Sequence, residues 1–255
     1  MENLTEFFDT GVFFFMLTFV RIGTAMMFFP GIGDSYTPTR VRLFMGLGLA
    51  LILFPATRGF MPAEVPGTFT FFMLLMGEFV VGAFIGMIAR ILMMALDTAG
   101  MVISLQASLS NAQLFNPALS SQSSIVGTFF LMIGMLLIFV TDLHHLLIYG
   151  LVNSYQIFPV GDMPDSSSMA QLTTRAVAAA FYTGIRIAAP FMVITTVLYI
   201  GMGVLARLMP QVQVFLLAIP VQIMLAFLVM AITVAAGLAY WLSFYEEGMR
   251  FFFMG

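Results

Sequence analysis

Six long apolar runs, broken by prolines and short polar turns, dictate what this chain can become. They cover about Gly11–Phe29, Val41–Leu53, Thr68–Leu105, Ile125–Leu151, Ala176–Leu205 and Val212–Tyr245. None alternates apolar and polar residues with a period of two, so each reads as a helix and not as a strand. Only 8% of the residues are charged, against roughly 25% in an ordinary soluble domain. The expected fold class is all-α and membrane-associated, with about six hydrophobic helical segments.

The segment lengths fit a bilayer poorly. About 20 helical residues cross the ~30 Å hydrocarbon core. Val41–Leu53, between Pro38 and Pro55, is too short. The third and sixth segments exceed 30 residues, which is more than ~45 Å at about 1.5 Å per residue. Tilt absorbs some of that excess, but a bundle of six matched spans is not what this sequence describes. Ionisable residues inside the runs carry the same message: Arg21, Glu78, Arg90, Asp97, Asp142 and Arg186. A central Arg or Asp costs roughly 2.5–3.5 kcal/mol on insertion scales, so these side chains should face protein or water. Arg21, Arg90, Asp97 and Arg186 are therefore candidate partner-interface residues, and buried ion pairs are favoured over an ion pathway. Arg90 and Asp97 share a helix face two turns apart, too far for a direct pair. Small residues four apart, at Gly46 and Ala50, Gly82 and Gly86, and Gly184 and Ala188, permit close helix approach.

The longest polar interruption is Gln106–Gln122, QASLSNAQLFNPALSSQ. Connections of this length are uncommon unless they have a function or are disordered, so this loop is the first candidate for the protein's task. A second polar stretch, Pro159–Ser168, divides the chain into two parts. Enzymatic roles find little support. There is no cysteine, all nine basic residues are arginine, and neither GxSxG nor HExxH occurs. The adjacent His144 and His145 point about 100° apart on a helix, so one shared ion is not expected and no metal or cofactor is assigned. The acidic N-terminus lacks the positive region of a signal peptide, so the first apolar segment is expected to be retained. Arginine counts on alternate loops tie, with Arg40, Arg42 and Arg207 against Arg58, Arg175 and Arg250. The loops carrying Arg40 and Arg207 are read as cytoplasmic.

Several stretches together resemble one family. Arg21–Arg42, RIGTAMMFFPGIGDSYTPTRVR, is similar to the N-terminal signature of the FliR family of flagellar export proteins: an Arg-x-Gly helix, a Pro-x-x-Gly turn and a Pro-x-x-Val-Arg element. Asp142–Pro159, DLHHLLIYGLVNSYQIFP, continues the resemblance. So do Ala188–Pro190, AAP, and Ala206–Pro220, ARLMPQVQVFLLAIP, whose Arg-x-x-Pro-Gln-x-x-x-Phe run is the most specific piece. The matches fall in order over most of the chain.

The resemblance implies a subunit of the type III secretion export gate, with FliP and FliQ as core partners, FlhB at the cytoplasmic side, and FlhA nearby. Residues 1–160 would be a FliP-like helical part, 161–175 a linker, and 176–255 a FliQ-like hairpin, all packed into a helical hetero-oligomer. The location implied is the bacterial inner membrane at the flagellar basal body, with the gate projecting to the periplasmic side. Exported flagellar proteins and membrane lipid are further partners; nucleic acid is not. Loop 106–122 would enter the pore as a plug, drawing on Gln106, Ser108, Leu109, Ser110, Asn111, Gln113, Leu114, Phe115, Asn116 and Pro117. Neutral amides and hydroxyls suit a confined wet pore, because they satisfy backbone groups without holding a fixed ion. The turn carrying Arg207, Pro210, Gln211 and Phe215 would meet FlhB. Two alternatives remain: the counterpart gate of a virulence injectisome, with the same role, and a secondary transporter of small solutes. The transporter should show inverted repeats with matching helix breaks, and only Pro190 and Pro220 offer such breaks.

Overall fold

The computed structural model describes residues 2–34, 36–62, 67–109, 124–162, 165–209, 211 and 214–254. Seven α-helices occur among them: α1 Glu2–Phe28, α2 Thr39–Thr57, α3 Thr68–Gln106, α4 Ile125–Val140, α5 Leu143–Ile157, α6 Ser166–Leu208 and α7 Val214–Met254. A 3₁₀ turn, Arg58–Phe60, extends α2. The described residues contain no strand. Five helices are long and apolar enough to cross a membrane, or six if α4 and α5 form one broken span. The chain is an all-α membrane protein.

The first helix starts before its apolar run, at Glu2, and the last continues beyond its own, to Met254; three further differences from the sequence reading have a local cause. The second segment is not too short: α2 and its 3₁₀ extension give a 22-residue apolar stretch from Thr39 to Phe60. Pro55 falls in the last turn, where it has no N–H to offer the carbonyl four residues earlier, yet the helix runs on past it and the Arg58 N–H reaches Phe54 O. The fourth segment is two helices, bent by 75° at Thr141–Asp142. Asp142 takes a left-handed conformation, φ 58°, which a right-handed helix cannot accommodate. The fifth segment is α6, which begins at Ser166, ten residues earlier than its apolar pattern. Asp165 starts it, its carboxylate accepting the N–H groups of Ser167 (3.2 Å) and Ser168 (3.1 Å) as an N-cap does.

The chain groups into two compact units interleaved along the sequence. One comprises Met1–Leu92, Phe139–Val177 and Glu246–Gly255; the other comprises Met93–Ile138 and Ala178–Tyr245. Each is held by close helix contact at small residues. In the first, a Cβ at Gly82 would lie 2.3 Å from Arg21 O, and one at Gly86 would lie 2.6 Å from Ala25 O. Only glycine lets α3 approach α1 this closely. Gly46 similarly faces Gly23 across α1 and α2. In the second unit, Gly184 of α6 sits against Ala95 O and Thr98 of α3. All three small-residue pairs read from the sequence thus supply a helix contact. The core of the second unit is apolar, with Trp241 fully buried against Tyr245.

Candidate functional site

The first unit is built around a charge that lipid would not tolerate. Arg21, in the middle of α1, is fully buried. Its Nε donates to Glu78 Oε2 at 2.6 Å and its Nη2 to Glu78 Oε1 at 2.8 Å, a two-pronged pair between α1 and α3. Nη2 also donates to Phe158 O (2.9 Å) and Nη1 to Ser154 Oγ (3.3 Å). The guanidinium lies over the Tyr155 ring at 3.9 Å. One arginine therefore ties α1 to α3 and to both α5 and its C-terminal end. A planar fork with five donors can do this, whereas lysine's point charge cannot.

In the second unit, the two ends of the polar loop meet. α3 stops in a Schellman motif: the Leu109 N–H bonds Ser104 O (3.1 Å) and the Ser108 N–H bonds Leu105 O (3.3 Å). The left-handed position of that motif, usually glycine, is Ser108 at φ 58°. Its hydroxyl donates to the side-chain oxygen of Gln222 on α7, and both residues are buried. On the return side Ser124 caps α4, its Oγ accepting the Gly127 N–H at 2.9 Å. The same hydroxyl reaches Ser104 Oγ (2.7 Å) and Gly100 O (3.0 Å). With Ser124 donating to Gly100 O and accepting from Ser104 and Gly127, every lone pair and proton is used. α3 and α4 touch here without side chains, since a Cβ at Gly100 would fall 2.3 Å from Gly127 Cα. Asp97 Oδ1 is buried beside Gly127 with no hydrogen-bond partner among the described residues. The described residues on the two sides of the polar stretch are thus fixed by buried hydrogen bonds, Ser104 to Ser124 and Ser108 to Gln222.

The remaining sequence candidates fall as follows. Ser108 and Leu109 belong to the root of that stretch, and Gln106 is the last residue of α3, its carbonyl accepting from Thr195 Oγ1 at 3.5 Å; Ser110, Asn111, Gln113, Leu114, Phe115, Asn116 and Pro117 lie outside the described residues, as does Pro210. Arg90 is exposed and pairs with Asp34 at 3.3 Å, and Asp97 belongs to the other unit. Arg186 is exposed on α6, with Nη1 donating to Tyr240 OH (2.9 Å). Arg207 and Gln211 are exposed near the α6–α7 turn, and Phe215 stands in the first turn of α7. His144 and His145 stack with ring centroids 4.1 Å apart, and Phe139 lies 5.3 Å from His144. Their ligand atoms and that of Asp142 fall within 4.8 Å of one another. Adjacency therefore separates the two rings less than ideal helix geometry suggests. Reasoning from sequence missed Ser104, Ser124 and Gln222. Ser124, immediately before an apolar run, carried an N-cap signal; Gln222 had none.

A family model described as bacterial export proteins, family 1, matches residues 12–248. This chain belongs to that family. It is 37% identical over 239 residues to the flagellar biosynthetic protein FliR of Caulobacter vibrioides, covering 92% of this chain and 94% of that protein. FliR of Bacillus subtilis is 26% identical over 235 residues, 91% of this chain and 88% of its own. The Yop proteins translocation protein T of Yersinia pestis is 28% identical over 186 residues, 72% and 71% of the two chains. The resemblance to the FliR family is thereby established, and this member is a membrane protein of the type III export apparatus.

Proposed function

We propose that this chain is a pore-forming structural subunit of the flagellar export gate, without enzymatic activity. It completes, with FliP-like and FliQ-like subunits, a channel through which unfolded flagellar proteins leave the cell. The 1–160 part packs in a FliP-like manner and the 176–255 hairpin in a FliQ-like manner. FlhB meets the turn around Arg207 and Gln211 on the cytoplasmic side, with FlhA beyond it, and the gate projects from the inner membrane towards the periplasm. Exposed Arg90 and Arg186 face neighbouring subunits.

Within that gate, loop 106–122 acts as the plug. The observation that carries this reading is the loop root: two buried hydrogen bonds, Ser104 to Ser124 and Ser108 to Gln222, fix the described residues on either side of a long polar segment. A plug must have two states, separated by a few kcal/mol, so that arriving substrate displaces it. A fixed root with a neutral polar excursion satisfies both demands. Flagellar service is preferred to injectisome service because the FliR of Caulobacter vibrioides is 37% identical over nearly the whole chain, whereas the Yop translocation protein is 28% identical over less of it. Deleting Ser108–Leu119 in cells that express the whole gate should raise leakage of ions and small dyes. Unchanged permeability with a normally assembled gate would remove the plug from the account.

A further inference from the structure

A groove in the first unit has a chemistry the export reading does not use. α1 and α2 meet at Gly23 and Gly46, where a Cβ on Gly46 would lie 3.3 Å from Gly23 Cα. Because the crossing point has no side chains, bulkier neighbours stand around a space instead of filling it. That space measures about 130 Å³ and is walled by Phe19, Val20, Met27, Leu43 and Phe79. Its walls are apolar except for Thr24 and partly open, with Met27, Leu43 and Phe79 each more than two-fifths exposed. α1, α2 and α3, which form it, are all candidate membrane spans. From Phe19 to Met27 the groove follows about 12 Å of helix.

One end of this groove is cationic. Arg42 lines it and is held there by the turn before α2, donating from Nε to Thr37 O (3.1 Å) and from Nη1 to Gly33 O (3.3 Å). Carbonyls orient the guanidinium but leave its charge unneutralised. Arg40 is exposed in the same first turn of α2. Among the described residues, no carboxylate lies within ion-pair distance of either. The nearby acid, Asp34, is engaged by Arg90 and by the Gly31 N–H (2.8 Å). The turn therefore presents two uncompensated positive charges where α1 ends and α2 begins, both candidate membrane spans; for helices that cross a bilayer, their ends stand at the height of the lipid headgroups. An apolar groove with a cationic mouth at that height matches one ligand class, because the acyl chain and the anionic headgroup are each met by their complement.

We propose that this groove binds an anionic phospholipid, one acyl chain lying along Phe19–Met27 and the phosphate resting on Arg42 and Arg40. Each arginine should contribute about a fivefold preference for an anionic over a zwitterionic headgroup. The test is lipid retention by native mass spectrometry on the full chain purified with its gate partners. Phosphatidylglycerol and phosphatidylcholine with identical acyl chains would be offered in turn. Wild type should hold one phosphatidylglycerol in preference to phosphatidylcholine, and Arg40→Gln and Arg42→Gln should each cut that preference about fivefold. Because Arg42 also ties the turn, Arg40→Gln, which breaks no turn bond, keeps the test decisive if the Arg42 variant fails to fold. Val20→Phe, which fills the groove, should lower retention of both lipids. Equal retention of the two lipids by wild type would overturn the proposal. So would competition by glycerol phosphate at the same concentration as lipid, which would mark a phosphate site without a chain. Capture of a partner subunit instead of lipid by a photoreactive group at Leu43 would reassign the groove to a protein contact.

Discussion

At the residue scale, polar groups stand where water is scarce. Arg21 and Glu78 illustrate the asymmetry of buried ion pairs. Removing one partner leaves an uncompensated buried charge and costs roughly 3–5 kcal/mol, whereas replacing both with apolar residues can be nearly neutral. Glu78→Gln should therefore sharply reduce the yield of folded protein in detergent, and Arg21→Met with Glu78→Leu should recover much of it; equal losses would contradict the pair's role. At the loop root, Gln222→Leu leaves the buried Ser108 hydroxyl without its acceptor, at a cost of about 1–3 kcal/mol. Combining it with Ser108→Gly, which also relieves the left-handed conformation, should be less harmful than the sum of the two, as a thermal melt of the four proteins would reveal. Arg21 was legible in the sequence because a central arginine in an apolar run demands a partner. Its actual partners were not, since Ser154 and the Phe158 carbonyl lie more than 130 residues away along the chain and no local pattern announces them.

At the scale of elements, the apolar runs declared themselves and their ends did not. Nothing in Ile125–Leu151 signals a break: no proline or glycine stands at Thr141–Asp142, yet the helix axis turns by 75°. Asp142 adopts φ 58°, a conformation that aspartate tolerates better than most residues and β-branched residues hardly at all. Asp142→Gly should leave the thermal midpoint unchanged or raise it, and Asp142→Val should destabilise the protein by about 1–2 kcal/mol. The start of α6 was hidden for the opposite reason, because Ser166–Arg175 is polar and looks like linker. What begins the helix is Asp165, whose carboxyl is held below its usual range by the Ser168 hydroxyl and by the N–H groups of Ser167 and Ser168. A carboxylate lowered in the folded state stabilises above its unfolded value, and that contribution is lost as pH falls through the lowered value. Protection of the Ser167 and Ser168 amides, measured against their intrinsic exchange rate at each pH, should fall below the ordinary carboxylate range, and Asp165→Asn should flatten that response. Unaltered protection across the range would show that the cap does not hold the helix start.

At the scale of the molecule, α3, α6 and α7 have 39, 43 and 41 residues, each close to twice the ~30 Å thickness of the hydrocarbon core. They carry exposed large side chains such as Phe72, Met76, Val193, Ile200, Met224 and Ile232. Helices of this length and greasiness suit an assembly better than an isolated bundle, which is how the sequence already read. Purified alone, the chain should aggregate on removal of detergent, and with FliP-like and FliQ-like proteins it should run as a single complex. The composition of the polar loop could be read directly, whereas its root could not, because the hydrogen bonds from Ser108 to Gln222 and from Ser104 to Ser124 depend on how α3, α4 and α7 pack. In the gate proposed above, this loop stands in the path of exported protein. The chain has no cysteine, so a single cysteine can be placed at Leu114 and coupled to a short crosslinker in cells carrying a stalled export substrate. The account predicts a crosslink from Leu114 to the stalled substrate and none from Leu43. Labelling of the substrate from Leu43 but not from Leu114 would contradict it.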